Sequence, residues 1–232
     1  MSCSCCGFSI RQPSRRTVLR SCLGAVLAGS AINVIFPEQA AAKTTLTPDA
    51  ALQALQDGNN RFVNHQLISF NEDLSILKKN TAEKQEPFAA VLSCADSRVP
   101  VELVFDQSIG QLFVTRVAGN FASPDIIASL EYGAAVLGTK AILVLGHSNC
   151  GAVKAALAGK AVPGQISALY APIQPAVEEA GGNLELAIKA NAKIQANLLA
   201  KASPVLAGLI EAGNLKIAAG YYALDTGTVT LL

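Results

Sequence analysis

Three short apolar runs constrain this chain most: 88–93 (Phe-Ala-Ala-Val-Leu-Ser), 112–118 (Leu-Phe-Val-Thr-Arg-Val-Ala) and 141–146 (Ala-Ile-Leu-Val-Leu-Gly). A strand with one wet face alternates apolar and polar side chains, whereas a strand covered on both faces reads as a continuous apolar run. These runs are separated by segments of helical spacing. The pattern predicts an α/β fold with a mostly parallel central sheet flanked by helices and an N-terminal helical arm. Two of the runs end at chemically capable residues, Cys94 and His147. Open α/β sheets bind ligands at the carboxyl ends of their strands, so both residues fall where such a fold places its site.

The remaining elements follow from spacing and punctuation. Ala51, Leu52, Leu55, Phe62 and Val63 recur at helical intervals, and Pro48 suits a first turn, so 48–65 is predicted as a helix. A weaker helix is predicted over 73–85. Ser123-Pro124 predicts an N-cap and a helix over 125–138. Further helices are predicted near 151–158, 165–180, 183–201 and 204–212. Residues 215–224 and 228–232 read as two strands joined at Asp225-Thr226-Gly227, a hairpin turn.

Apolar residues make up 51% of the 232, enough to fill the core of one medium domain and to argue against disorder. Charge is uneven. Residues 1–42 hold Arg11, Arg15, Arg16 and Arg20 against Glu38 alone, so the remainder is slightly acidic. No basic block interleaved with aromatics is visible, which argues against nucleic-acid binding. The sequence Ser14-Arg15-Arg16-Thr17-Val18-Leu19-Arg20 is similar to the twin-arginine export motif. A modest apolar stretch from Cys22 to about Phe36 follows, then Ala40-Ala41-Ala42 before Lys43. A charged start, a short apolar stretch and a small-residue cleavage site form a signal peptide. Residues 1–42 are therefore expected to be a leader and 43–232 the mature domain. The expected destination is the periplasm, or the thylakoid lumen in a photosynthetic organism. No stable membrane insertion is expected after cleavage, because the apolar stretch is short and interrupted by Asn33 and Pro37. Four of the six cysteines, Cys3, Cys5, Cys6 and Cys22, would leave with the leader.

Two segments carry the chemistry: Ser93-Cys94-Ala95-Asp96-Ser97-Arg98-Val99-Pro100 and Gly146-His147-Ser148-Asn149-Cys150-Gly151-Ala152. The second offers an imidazole and a thiol three residues apart where a strand becomes a helix. The first adds a thiol, then a carboxylate, then a guanidinium. Cys2His with a nearby carboxylate is a zinc chemistry. A disulfide between Cys94 and Cys150 would leave His147, Asp96 and Arg98 unexplained. Core packing explains a lone Cys or His better than it explains this convergence.

These two segments resemble the paired signatures of β-class carbonic anhydrases, and the stretch from Pro48 to Leu232 follows that family. Asp49–Val63, Phe105-Asp106-Gln107, Leu112–Asn120, Leu130-Glu131-Tyr132 and Gly220–Thr228 resemble it as well. The resemblance implies one Zn2+ per subunit on Cys94, His147 and Cys150, and reversible hydration of CO2 to bicarbonate and a proton by zinc-bound hydroxide. It implies catalytic roles for Asp96 and Arg98, with Asp96 able to become the fourth ligand in a closed state. Gln85 matches an amide that contacts bicarbonate, Gly151 a substrate-holding backbone N–H, and Phe113 and Tyr132 pocket positions, although a plain core role suits each of these two aromatics as well. It further implies a homodimer or higher homo-oligomer, since in the family the Gln and the aromatic residues reach the site from the neighbouring subunit. His65 reads as a solvated helix-end residue, with a proton relay as the lesser alternative.

Three rivals remain at the level of sequence. The same zinc site could hydrolyse carbon disulfide or carbonyl sulfide, as relatives of this family do. A non-catalytic zinc- or bicarbonate-binding protein would have a broken Asp–Arg pair or lack the amide, and both are present here. A thiol redox protein would carry a close Cys-x-x-Cys pair, which Cys94 and Cys150 are not.

Overall fold

The computed structural model describes residues 44–69 and 74–232. The expected leader, residues 1–42, lies outside them. The chain enters through α1 (Pro48–Val63), whose first turn is capped by the Thr47 side chain accepting from Ala50 N. Next come α2 (Leu74–Thr81), β1 (Ala89–Ser93), the single-turn α3 (Val101–Val104) and β2 (Leu112–Arg116). Then follow α4 (Pro124–Glu131), β3 (Ala141–His147), α5 (Gly151–Ala158), α6 (Tyr170–Glu179), α7 (Leu184–Ala202) and α8 (Pro204–Glu211). The chain closes with β4 (Lys216–Tyr222) and β5 (Val229–Leu231).

The sheet runs β2-β1-β3-β4-β5, parallel except for β5, which returns antiparallel on β4. Every residue of β1 and β3 is buried, as their unbroken apolar runs require. Alternate side chains divide between two cores. Val91, Leu143 and Leu145 pack with Leu52 and Leu55 of α1 and with Val104 and Phe105. Ala90, Leu92, Ile142 and Val144 pack on the other face with Ala192 and Leu199 of α7 and Leu206 of α8. Burial of each such branched or aromatic side chain stabilises the fold by roughly 1.5–3 kcal/mol. Gly146 lets α7 lie close to β3, since a Cβ there would stand 3.0 Å from Ile188 Cγ2 and 3.2 Å from Ile188 O.

The predicted strands, the hairpin and most helices are present, and several boundaries move. The helix expected over 73–85 ends at Thr81, and the chain extends through Pro87 into β1. The helix expected over 125–138 begins at Pro124 and widens into a π turn over Tyr132–Val136. The small run Gly133-Ala134-Ala135 offers little bulk against that wider turn. The helix expected over 165–180 divides into a 3-10 turn, Gly164–Leu169, and α6. Pro172 has no N–H to give to residue 168, so the α-helical ladder cannot run back into that turn. The run expected to end at Gly146 includes His147 as its last strand residue. The run expected through 118 ends at Arg116. No helix among the described residues is long and apolar enough to cross a membrane.

Candidate metal centre

β1 and β3 are neighbours in register, with Ser93 opposite Leu145, so both strands deliver their last residues to one end of the sheet. β1 hands over Cys94 and β3 ends in His147. After His147 the chain turns sharply through Asn149, whose φ of 54° lies in the left-handed region that Asn tolerates. Cys150 then stands at the N-cap of α5. The candidate ligand atoms of Cys94, His147 and Cys150 lie within 4.8 Å of one another, and all three residues are buried.

His147 is held in one orientation. Its Nδ1 is 3.0 Å from the Ser148 carbonyl oxygen, a geometry in which Nδ1–H donates. That tautomer leaves the lone pair on Nε2, which is buried and makes no hydrogen bond among the described residues. The two sulfurs are 3.9 Å apart. The hydrogen bond between them holds the Cys94 thiol below its ordinary pKa and pushes Cys150 above its own. Gly119 N also donates to Cys94 Sγ, at 3.3 Å. The N–H groups of Ala152 and Val153, in the first turn of α5, favour the thiolate of Cys150. Two sulfurs and an imidazole nitrogen without a hydrogen bond among the described residues, all buried and within 4.8 Å of one another, fit a soft-to-borderline dication such as zinc.

Asp96 stands at the edge of the cluster, its Oδ2 3.8 Å from His147 Nε2. Arg98 grips it with two side-chain bonds, Nε to Oδ1 at 2.9 Å and Nη2 to Oδ2 at 2.7 Å, and with its backbone N to Oδ1 at 2.9 Å. These bonds hold the carboxyl well below the usual carboxylate range. Arg98 Nη2 also donates to Asn149 O, which ties the Cys94 loop to the His147 turn.

The fold thus brings together Cys94, His147, Cys150, Asp96 and Arg98. Gly151 adjoins them as the first residue of α5, where a Cβ would meet nothing within 4 Å. Gln85, Phe113 and Tyr132 gather elsewhere. Gln85 and Tyr132 line one cleft, whose walls include none of the cluster residues, and the Phe113 ring packs 6.3 Å from that of Tyr132. Phe113 pairs with Ala90, three strand steps below Ser93 and so about 10 Å along the strand from the site. His65 is exposed just past the end of α1.

Two supporting groups escape a reading of the sequence. Arg116, the last residue of β2, donates to the carbonyl oxygens of Cys94 and Asp96, at 2.9 and 2.6 Å, and so frames the Cys94 loop. Ser148 donates its N–H to Tyr222 O and accepts from Leu224 N, which anchors the turn between His147 and Cys150 to β4. Neither leaves a local signal, because the partners are distant in sequence.

Known proteins resemble this chain in sequence and in fold. The carbonic anhydrase family profile matches residues 89–229. A carbonic anhydrase of Mycolicibacterium smegmatis is 44% identical over 110 residues, which is 47% of this chain and 53% of that protein. The chain therefore spans about half the length of that curated relative. Among solved structures, a Coccomyxa β-carbonic anhydrase in complex with acetazolamide superposes with a TM-score of 0.62 at 27% identity, over 78% of this chain and 86% of that one. The tetrameric β-carbonic anhydrases of the ascomycete Sordaria macrospora share the fold, with a TM-score of 0.64 at 22% identity, over 78% of this chain and 96% of theirs.

Proposed function

From the premise that this chain belongs to the β-class carbonic anhydrase family, we propose that it reversibly hydrates CO2 to bicarbonate and a proton. The observation that carries the reading is the buried His147 Nε2, without a hydrogen bond among the described residues, between two thiols and beside a carboxylate already held by Arg98. Cys94, His147 and Cys150 would hold the zinc. Bound there, zinc supplies a water acidified toward the nucleophilic form near neutral pH, less strongly than on three neutral histidines because two thiolates cancel most of its charge.

The protein's own groups do the rest. Asp96 accepts a hydrogen bond from the attacking water and so orients it toward the carbon of CO2. Arg98 keeps that carboxylate ionised and aimed. A carboxyl held so far below its usual range does not retain a proton at neutral pH, so the proton passes on to solvent or buffer. Were Arg98 to release it, Asp96 would be able to close the site as the fourth ligand. The Gly151 N–H, at the positive end of α5, holds an oxygen of bicarbonate. The Gln85 amide and the Phe113–Tyr132 pair complete the pocket of a neighbouring subunit, in a homodimer or higher homo-oligomer. Support for that assembly comes from Gln85 and Tyr132 lining a cleft apart from their own metal cluster, with Phe113 packed on Tyr132, from Tyr132 being 47% exposed, and from the tetrameric state of the Sordaria macrospora relatives.

The enzyme is exported by a twin-arginine route and cleaved before Lys43, to act in the periplasm or a thylakoid lumen. The Arg15-Arg16 pair, the apolar stretch and Ala40-Ala41-Ala42 support this. The N-terminal residue of the mature protein, read by mass spectrometry, checks it.

The deciding experiment measures metal content and CO2 hydration by stopped flow, beside sulfide release from carbon disulfide and carbonyl sulfide. Zinc-loaded protein with no hydration above the buffer rate would overturn the reading. Sulfide release without hydration would move the substrate to the sulfur analogues.

A further inference from the structure

The loop after β2 places a backbone N–H on a candidate metal ligand, and something must hold it there. Gly119, whose N donates to Cys94 Sγ, has a φ of 84°, and a Cβ at this position would stand 2.6 Å from Ile173 Cδ1. Its neighbour Asn120 has a φ of 41°. Residues 117–123 form no helix or strand, so their orientation is set by what they touch.

Much of that restraint comes from α7. Asn191 and Gln195 stand one helical turn apart on a face otherwise built of Ala187, Ile188, Ala192, Ala196 and Leu199, and they are 1% and 2% exposed. Asn191 Nδ2 donates to Gly119 O at 2.9 Å. Gln195 Oε1 accepts from Ala122 N at 3.0 Å. Gln195 Nε2 donates to Pro172 O at 3.0 Å and to Asn191 Oδ1 at 3.3 Å. Burying two amides in an apolar helix face is costly unless their bonds are made. Here the two side chains grip one loop at two points, three residues apart.

We propose that Asn191 and Gln195 are positioning residues for the metal centre. By holding the Gly119 carbonyl and the Ala122 N–H they fix the loop that sets the Gly119 N–H on Cys94 Sγ, and so set how strongly that thiolate donates to the metal. The proposal rests on the reading of Cys94, His147 and Cys150 as zinc ligands. A thiolate that accepts an N–H bond gives less charge to its metal, and groups of this outer kind fix both ligand direction and affinity.

The test uses the full chain with Co2+ as a spectroscopic probe and Zn2+ for affinity. Wild type is compared with Asn191→Leu, Gln195→Met and a packing control, Leu55→Ala, whose side chain is buried in the core on the opposite face of the sheet. Two quantities are read: the energy of the thiolate-to-cobalt charge-transfer band, and the zinc dissociation constant by competition with a coloured chelator. Asn191→Leu and Gln195→Met should both shift the band and weaken zinc binding by about tenfold or more. Leu55→Ala should lower the denaturation midpoint and shift neither. The proposal is overturned if Asn191→Leu folds with wild-type band and affinity, or if Leu55→Ala shifts the band as far. Should Asn191→Leu fail to fold, Gln195→Met decides by the same two readings. A wild-type chain with no cobalt–thiolate band would overturn the zinc reading itself, and the proposal with it.

Discussion

Two of the buried polar clusters among the described residues are finished to different degrees. In the first, Asp106 lies beneath α1, its side chain out of solvent. Its Oδ1 accepts from Ile68 N, Ser69 N and Ser69 Oγ, and its Oδ2 from Arg61 Nε at 2.5 Å. Asn59, also on α1, uses both ends of its amide, donating to Val104 O and Gly227 O and accepting from Val229 N. In the second, at the strand ends, two sulfurs stand 3.9 Å apart and His147 Nε2 has no hydrogen bond among the described residues. Burial strands polar atoms unless partners are supplied. A cluster that satisfies itself is structural. One that leaves a buried imidazole nitrogen unpaired between two sulfurs suits a cation.

Four measurements can break or sharpen that contrast, from the largest effect to the smallest. Cys150→Ser should weaken zinc binding by well over the roughly 100-fold typical of losing an outer partner, because it removes a ligand outright. Metal analysis after dialysis reads this, and a variant that keeps a full zinc complement would place Cys150 among the structural residues. Asp96→Ala should keep its zinc and lose about 100-fold or more in kcat/KM, read by stopped-flow hydration. Normal activity in that variant would dissolve its assigned role.

Asp106→Asn should do the reverse, leaving zinc content and turnover alone while costing about 2–3 kcal/mol of stability in a denaturant titration. Burial raises the pKa of Asp106, but the bonds from Ser69 and Arg61 outweigh it and the folded value is lowered. Its contribution is therefore complete above the unfolded value of about 4 and is lost as pH falls through the folded one. The smallest effect is a divergence with pH. Between about pH 6 and pH 9 hydration should rise several-fold as the zinc-bound water ionises, while the stability due to Asp106 stays flat. A flat rate profile over that range would argue against a thiolate-rich zinc site.

How much of this was legible in the sequence depends on how local each signal is. β1 and β3 were legible because burial on both faces writes an unbroken apolar run. Cys94 and His147 stood out because two of the runs stop at them, and Cys150 because it follows His147 by three residues at the start of a helix. The π turn at Tyr132–Val136 was not, since it changes one helical repeat without changing the apolar pattern. Arg116, Asn191 and Gln195 look like an ordinary edge charge and two ordinary helix amides. An Asn and a Gln four apart in an otherwise apolar stripe was the one hint available, and it names no partner, because Gly119 lies 72 residues away. Gln85, Phe113 and Tyr132 were placed by resemblance alone, and within one chain they meet each other, not the cluster.

The adjacency of β1 and β3 also fixes when the metal can enter. Cys94 and Cys150 are 56 residues apart, so in an unfolded chain they do not form a site, and closing that length of chain is entropically slow. The pocket comes into being only once the two central strands have paired and α5 has docked. Metal uptake would therefore run behind sheet assembly, and its rate, followed by stopped-flow cobalt absorption during refolding, would clock the completion of the core.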